Sequence, residues 1–326
     1  MKRLIVLSVM LLSVLTNARM LSGEPLTHTF SIVAYDQQSG QIGVAVQSHW
    51  FSVGSVVSWA EAGVGAVATQ SLLNVSFGPR ALESLKKGYS PQKTVEELVN
   101  ADEGRDFRQL AVIDEKGRVA THTGEKCIAD AGYIIGKNYS VQANMMLNKE
   151  VVPAMSKAFE QSSGPLAERM VAALQAAQKA GGDIRGQQSA AILIVRAKQS
   201  GKIWEDRLID LRVEDHPNAV KELARILAVF RAYEHMNKGD LAIEKGDEKT
   251  AMQEYAAAEK MFPNNTEMKF WHAVALVNIG KVDLALPIFK KIFAEDKNYI
   301  ELTRRIVSNG LLKADEATLQ NITTIH

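Results

Sequence analysis

The hydrophobic period of this chain changes once, near Asp215, and that change constrains the fold more than any other feature. Ahead of it, short β-branched and small-residue runs alternate with pairs of helical patterns. Residues 28–35 and 41–48 predict two strands, joined by a hairpin loop over 36–40, and 63–71 predicts a third, buried strand. Residues 79–100 predict two short helices, broken at Gly88-Tyr89-Ser90-Pro91. Residues 107–113 and 118–123 flank Asp114-Glu115-Lys116-Gly117 as a second hairpin, and 139–146 is a further strand. Amphipathic helices over 151–161 and 166–179 precede a continuous apolar strand over 189–196 and another over 208–213. Strands, helices, strands, helices, strands is the order of a layered α+β sandwich, without the strict βαβ alternation of a doubly wound sheet.

After Asp215 every pattern is helical. Asp215-His216-Pro217 ahead of residues 219–232 reads as a helix start, with His216 as either a capping residue or a site residue. A repeat follows. Gly246 and Gly280 lie 34 residues apart, and Ala251 with Ala285, Tyr255 with Phe289, and Asn264 with Asn298 keep that offset. A glycine at the turn, a small residue beyond it and an aromatic after that suit two helices in close approach with a ring filling their seam. The period and pattern resemble the tetratricopeptide repeat. Two units, 236–265 and 266–298, would be capped by helices over 219–232 and 300–312. The expected organisation is a layered domain over 24–215 and an all-α repeat domain over 216–326.

The first 18 residues read as a targeting segment. Lys2 and Arg3 precede an apolar stretch over 4–15, and Thr16 and Ala18 are small residues suited to a cut after Ala18. The stretch falls short of the roughly 20 apolar residues that span a bilayer; an uncleaved anchor or buried helix is the alternative. The expectation is an exported protein, periplasmic or extracellular, with no integral span once the segment is removed. The chain carries 38 basic and 37 acidic residues, and losing Lys2 and Arg3 leaves 36 against 37. So balanced a charge makes nucleic acid a poor partner. The single cysteine, Cys127, excludes an internal disulfide and reads as a buried, inert thiol.

No GxGxxG, Walker A, HExxH or GxSxG pattern occurs, and the seven histidines are scattered, so neither a cofactor nor a metal is expected. What remains is a set of polar residues at predicted strand ends: Gln47, Ser48 and His49; Thr69, Gln70, Ser71 and Asn74; Gln142 and Asn144; Asp183, Arg185, Gln187, Gln188 and Ser189. Amides, hydroxyls and one acid–arginine pair can orient a substrate and hold an oxyanion. Alternatively, each could satisfy turn backbone.

The segments HTFSIVAYD (28–36), GQIGVAVQSHWFSVGSVV (40–57), AGVGAVATQS (62–71), FGPR (77–80), ADEGRDFRQLAVID (101–114), HTGEKC (122–127), SVQANMM (140–146), GGDIRGQQSA (181–190) and LRVEDHP (211–217) resemble a bacterial family, domain-of-unknown-function family 1028, placed in the N-terminal-nucleophile (Ntn) hydrolase superfamily. The resemblance implies a four-layer αββα sandwich. It also implies amide hydrolysis by the first residue of the mature chain, whose hydroxyl attacks while its own α-amine serves as base. On this resemblance Thr29 is the nucleophile, Asn144, Asp183 and Ser189 support it, and Gln142 stands near it. Arg80 and Arg185 would hold an anionic part of the substrate, and Gln47, Ser48, His49, Gln70, Asn74 and Gln188 would line the site. Where proteasome-like relatives end the second strand in an acid–Ser pair, this chain has Gln47-Ser48. A cut after Ala18 leaves residues 19–28 ahead of Thr29, so the mechanism demands a second cut between His28 and Thr29. The expected activity is hydrolysis of a small amide or peptide, with a protein or peptide partner at the repeats and self-association as a further possibility. The rival expectation is a catalytically silent Ntn fold that binds a ligand or protein.

Overall fold

The computed structural model describes residues 26–325, and the leader expected over 1–18 lies outside them. The chain divides into two compact units, one ending at Arg225 and the other beginning at Ile226.

The first unit is built on two antiparallel sheets. One contains β1 (Leu26–Thr27), β5 (Gly65–Leu72), β6 (Arg108–Asp114) and β7 (Val119–Thr123) in that order, with β4 (Ser58–Glu61) also paired to β5. The other runs β11 (Arg207–Val213), β10 (Ser189–Arg196), β3 (Gln41–Ser48), β2 (Thr29–Asp36), β9 (Tyr139–Ala143), β8 (Gly132–Gly136). Side chains alternate faces along a strand, and the alternation sorts each strand's residues between two cores. Val33, Val44, Val46 and Leu193 of the second sheet form one buried cluster with Ala66, Ala68, Ala111 and Ile113 of the first. The opposite face of the first sheet, through Val67, Leu110, Val112 and Ala120, packs on α1 (Phe77–Lys86) and α2 (Pro91–Asn100). Gly78 lets α1 approach β4, since a Cβ there would lie 2.3 Å from the Trp59 ring. On the other side, α3 (Val151–Gln161) packs on β9, and α4 (Leu166–Lys179) on β2 and β3. Tyr139 anchors α3: its ring meets Phe159 at 4.7 Å and its hydroxyl reaches Ser156 and Glu160 at 2.7 Å.

Sequence periodicity finds most of these elements but misses β1, β4 and β8, which are too short to show a period. A short helix, α5 (Ile203–Asp206), also goes unseen. The helix after Asp215 is longer than expected. α6 (Ala219–Glu244) runs without the break expected near Ala232, because Tyr233-Glu234-His235 offers neither glycine nor proline. His216 serves its start, its Nδ1 accepting from the Asn218 N–H at 3.0 Å, while Gln187 Oε1 accepts from the Val220 N–H at 3.0 Å.

The second unit continues with α7 (Glu248–Met261), α8 (Thr266–Asn278), α9 (Val282–Glu295), α10 (Asn298–Ser308) and α11 (Glu316–Thr323). The repeat is visible in its turn chemistry. Gly246 and Gly280 take φ of 73° and 77°, and the residue after each donates to the carbonyl five positions back, Asp247 to Ala242 at 2.9 Å and Lys281 to Leu276 at 2.8 Å. Both are left-handed helix ends that glycine adopts without a Cβ penalty. Ala251, Tyr255, Ala285 and Phe289 are all buried in the helix seams. The Tyr255 hydroxyl donates to Asp240 at 2.7 Å, and burial together with that carboxylate pushes its ionisation upward. Two histidine–glutamate pairs tie neighbouring helices, His235 with Glu254 and His272 with Glu259. No helix among the described residues is long and apolar enough to cross a membrane.

Candidate functional site

At one end of the first unit the space between the sheets is lined by amides and hydroxyls. β2 enters it through Thr29 and Ser31, which share a strand face with Val33. Thr29, Ser31, Ser48, Gln70, Gln109, Gln142 and Asn144 are fully buried, so each polar atom needs a partner, an unmet one costing about 1–3 kcal/mol.

The partners form a chain whose polarity is fixed at one end by a backbone carbonyl. Gln109 Nε2 donates to the Ala143 carbonyl at 2.9 Å and to Thr123 Oγ1 at 2.8 Å. Its Oε1 must then be the acceptor, and it receives Gln70 Nε2 at 2.6 Å and Asn144 Nδ2 at 2.9 Å. Gln70 Oε1 accepts from the Ser31 hydroxyl at 2.6 Å, and that oxygen accepts from Gln142 Nε2 at 2.6 Å. Asn144 is left with Oδ1 as an acceptor, 2.8 Å from His28 Nδ1, so that ring nitrogen carries the proton.

The chain crosses from one sheet to the other at this point. Leu26 and Thr27 pair with Leu72 and Ser71 of β5, and Thr29 pairs with Ser48 of β3. His28 makes the crossing, and its carbonyl receives two donors, Ser48 Oγ at 2.6 Å and Arg185 Nη2 at 3.0 Å. Arg185 is held for this by Asp183, which takes its Nη2 at 2.7 Å, its Nε at 3.0 Å and its backbone N–H at 2.9 Å. The Thr29 hydroxyl donates to the Thr27 carbonyl at 2.6 Å, and the Thr29 nitrogen is an amide. Burial holds the His28 imidazole below its ordinary pKa of 6.5; the Asn144 bond works against burial, the Arg185 charge with it, and Asp183 against it.

The structure thus brings together Thr29, Ser48, Gln70, Gln142, Asn144, Asp183 and Arg185. The other sequence candidates make no side-chain hydrogen bond to these seven side chains. Gln47 is directly opposite Phe30, on the face of β3 turned away from Thr29, and bonds weakly to the Gly186 carbonyl at 3.4 Å. Ser189 secures the turn after β3, donating to the Trp50 carbonyl and accepting from the Val53 N–H. His49 is tied through its backbone N–H to Asp183 at 3.3 Å. Gln188 joins through its backbone N–H to the Ser48 carbonyl at 3.1 Å. Asn74 belongs to a separate cluster, donating to Asp102 at 3.3 Å, where Arg108 Nε also reaches Asp102 at 2.8 Å. Burial pushes the Asp102 pKa up, but the bonds from Arg108, Gly104 and Asn74 bring it below its ordinary 3.8. Arg80 lies on the exposed side of α1, 6.0 Å from the Phe77 ring centroid. Cys127 is half-buried, its thiol pushed up by burial and donating to the Arg108 carbonyl at 3.4 Å.

Gln109 and His28 were not singled out from sequence. A signal existed for Gln109. It is the one polar uncharged residue of the predicted strand over 107–113, and the structure sets it directly opposite Gln70. Among the described residues, no group of three or more His, Cys, Asp or Glu side chains could hold a metal ion.

Two stacked antiparallel sheets with a buried amide–hydroxyl cluster at one end define the class of domain. The sequence profile of DUF1028, a family of unknown function, matches residues 29–223, and the chain belongs to that family. It is similar to the crystal structure of the DUF1028 protein SPO2555 from Silicibacter pomeroyi, at 30% identity and a TM-score of 0.56, over 61% of this chain and 88% of that one. A more distant match is Anbu (ancestral beta-subunit) from Yersinia bercovieri, at 13% identity and a TM-score of 0.29, over 62% of this chain and 96% of that one. No curated protein matches this chain.

Proposed function

We propose that the first unit is an exported Ntn-type amidohydrolase with an αββα layering, activated by a cut between His28 and Thr29. The observation that carries this reading is the His28 carbonyl held by Ser48 and Arg185, with the Thr29 hydroxyl on the adjoining residue. Two donors on the carbonyl of one specific peptide bond are what an oxyanion needs. In the cut, Thr29 Oγ1 adds to the His28 carbonyl carbon, and Ser48 and Arg185 receive the developing negative charge. The C–N bond breaks, the hydroxyl proton ends on the Thr29 nitrogen, and an ester links His28 to Thr29. Water then hydrolyses the ester to a His28 carboxylate and a free Thr29. The freed α-amine, with a reference pKa near 8, serves as base when the same hydroxyl attacks a substrate amide. The leaving amine takes the proton, and water regenerates the hydroxyl. Asn144 and Gln70 position Thr29 through its carbonyl, Asn144 N–H at 3.1 Å and Gln70 Nε2 at 3.3 Å. The helical unit, with its 34-residue turn repeat, is read as a tetratricopeptide-like module that binds a protein or peptide.

Intact mass and N-terminal sequencing of the purified protein test the reading. A chain starting at Thr29, with amide hydrolysis that disappears in Thr29→Ala, is the expected result. A folded chain that retains His28 indefinitely sinks it.

One observation favours a second reading, a silent binding module: the Thr29 hydroxyl is turned onto the Thr27 carbonyl, and the residue is fully buried. In that case the chain stays uncut and hydrolyses no amide.

A further inference from the structure

We infer that the segment ending at His28 marks the acyl side of the substrate: the mature protein acts on extended peptides that add antiparallel to β5 and place a donor side chain, histidine best, against Asn144 at the bond to be cut. This deepens the reading of Thr29 as nucleophile and rests on it.

The argument begins with the ester. When Thr29 attacks its own preceding bond, the intermediate is Leu26-Thr27-His28 esterified to Thr29 Oγ1. When it attacks a substrate, the intermediate is the substrate's acyl half esterified to the same oxygen. Groups that grip the first acyl half are therefore placed to grip the second.

Those groups are specific. Along the edge of β5, β4 covers Gly65–Ala68, while β1 is seated on Ser71 and Leu72. Departure of β1 would leave that length of edge with free N–H and C=O groups, the standard template for adding a peptide strand. Thr27 is fully buried, with its hydroxyl 3.4 Å from the Ser71 carbonyl. His28 is 3% exposed and is read by a single side chain, Asn144. The preference for a donor follows from the amide chain already traced. The Ala143 carbonyl fixes Gln109, Gln109 fixes Asn144, and Asn144 can present only an acceptor to the residue before the cut. A side chain without a donor would leave that buried oxygen unmet.

The test uses the chain beginning at Thr29 and two tripeptide acids, Leu-Thr-His and Leu-Thr-Ala, titrated by calorimetry. Leu-Thr-His should bind at least about tenfold more tightly, the worth of one buried hydrogen bond. Amide resonances of residues 69–72 should shift on binding. Fluorogenic amides of the same two peptides should show a matching preference in kcat/KM. Equal affinity for the two acids, or binding of neither, overturns the inference. Hydrolysis of both amides at equal rates overturns it while leaving the nucleophile reading intact. A chain that intact mass shows is never cut at Thr29 removes the reading beneath it, and the inference falls with it.

Discussion

The gap between the two sheets is filled in two ways. Around Val33, Val44, Ala68, Ala111 and Ile113 it is apolar. One pleat further along the same strands it holds Ser31, Gln70, Gln109 and Gln142, joined side chain to side chain. The backbone scaffold is shared, but the rules differ. Apolar burial is non-directional and tolerates swaps that conserve volume. A buried amide chain is held by orientation, and one missing acceptor strands several donors together. The apolar half therefore specifies how the sheets stack, and the polar half specifies where each hydrogen points.

Four experiments would break or sharpen this contrast. The largest effect should come from Thr29→Ala, which removes the hydroxyl that only the polar end supplies. Both the cut and amide hydrolysis should fall by at least about a thousandfold, read by intact mass and by release of a fluorogenic amine. Next is Gln109→Ala, which removes at once the acceptor of Asn144 Nδ2, the shortest of the bonds from Gln70 Nε2 and a donor to the Ala143 carbonyl. A loss of about 4 kcal/mol is expected in urea unfolding; a loss under about 1 kcal/mol would mean the amide chain is not a unit. The apolar half should be more forgiving: Ile113→Leu should cost less than about 1.5 kcal/mol. A larger cost than that of Gln109→Ala would invert the comparison.

The smallest effect concerns pH. The His28 pKa lies below its ordinary 6.5 in the folded uncut chain. As pH falls below 6.5, the unfolded chain takes up this proton first, so stability drops until the lower folded pKa is reached. Held uncut by Thr29→Ala, the chain should show this loss, and adding His28→Gln should flatten it. Unchanged pH dependence in the double variant would mean that the histidine is not held neutral.

Much of the scaffold was legible because period-two runs and turn residues agree. β3, β10, α3 and α4 fall where the sequence puts them. β8, GYIIG, escaped because it is short and begins and ends in glycine. The break expected in α6 came from assigning its first part to a capping helix and its last part to a repeat unit, although nothing chemical divides them. The site was half legible. Gln70, Gln142 and Asn144 stand out as amides near predicted strand ends, but which face they take is a matter of register. Gln47 and Ser48 are neighbours in sequence, and pairing with β2 alone sends Ser48 to Thr29 and Gln47 to the other side. Arg80 reads as part of a conspicuous motif, FGPR, yet the phase of α1 leaves it in solvent. Gln109 was hidden inside a strand whose every residue is buried, where a lone glutamine in sequence looks like a strand-start residue.

The crossing at His28 is also a mechanical clasp. One continuous stretch of backbone is a strand of the first sheet up to Thr27 and a strand of the second from Thr29, so a single residue ties the two sheets together at this end. Severing the bond after His28 would open that clasp. The sheets would then be tied at this end only by the longer connections over 49–57 and 124–131 and by side-chain bonds, and a buried compartment would gain an entrance at the place where the new amine is born.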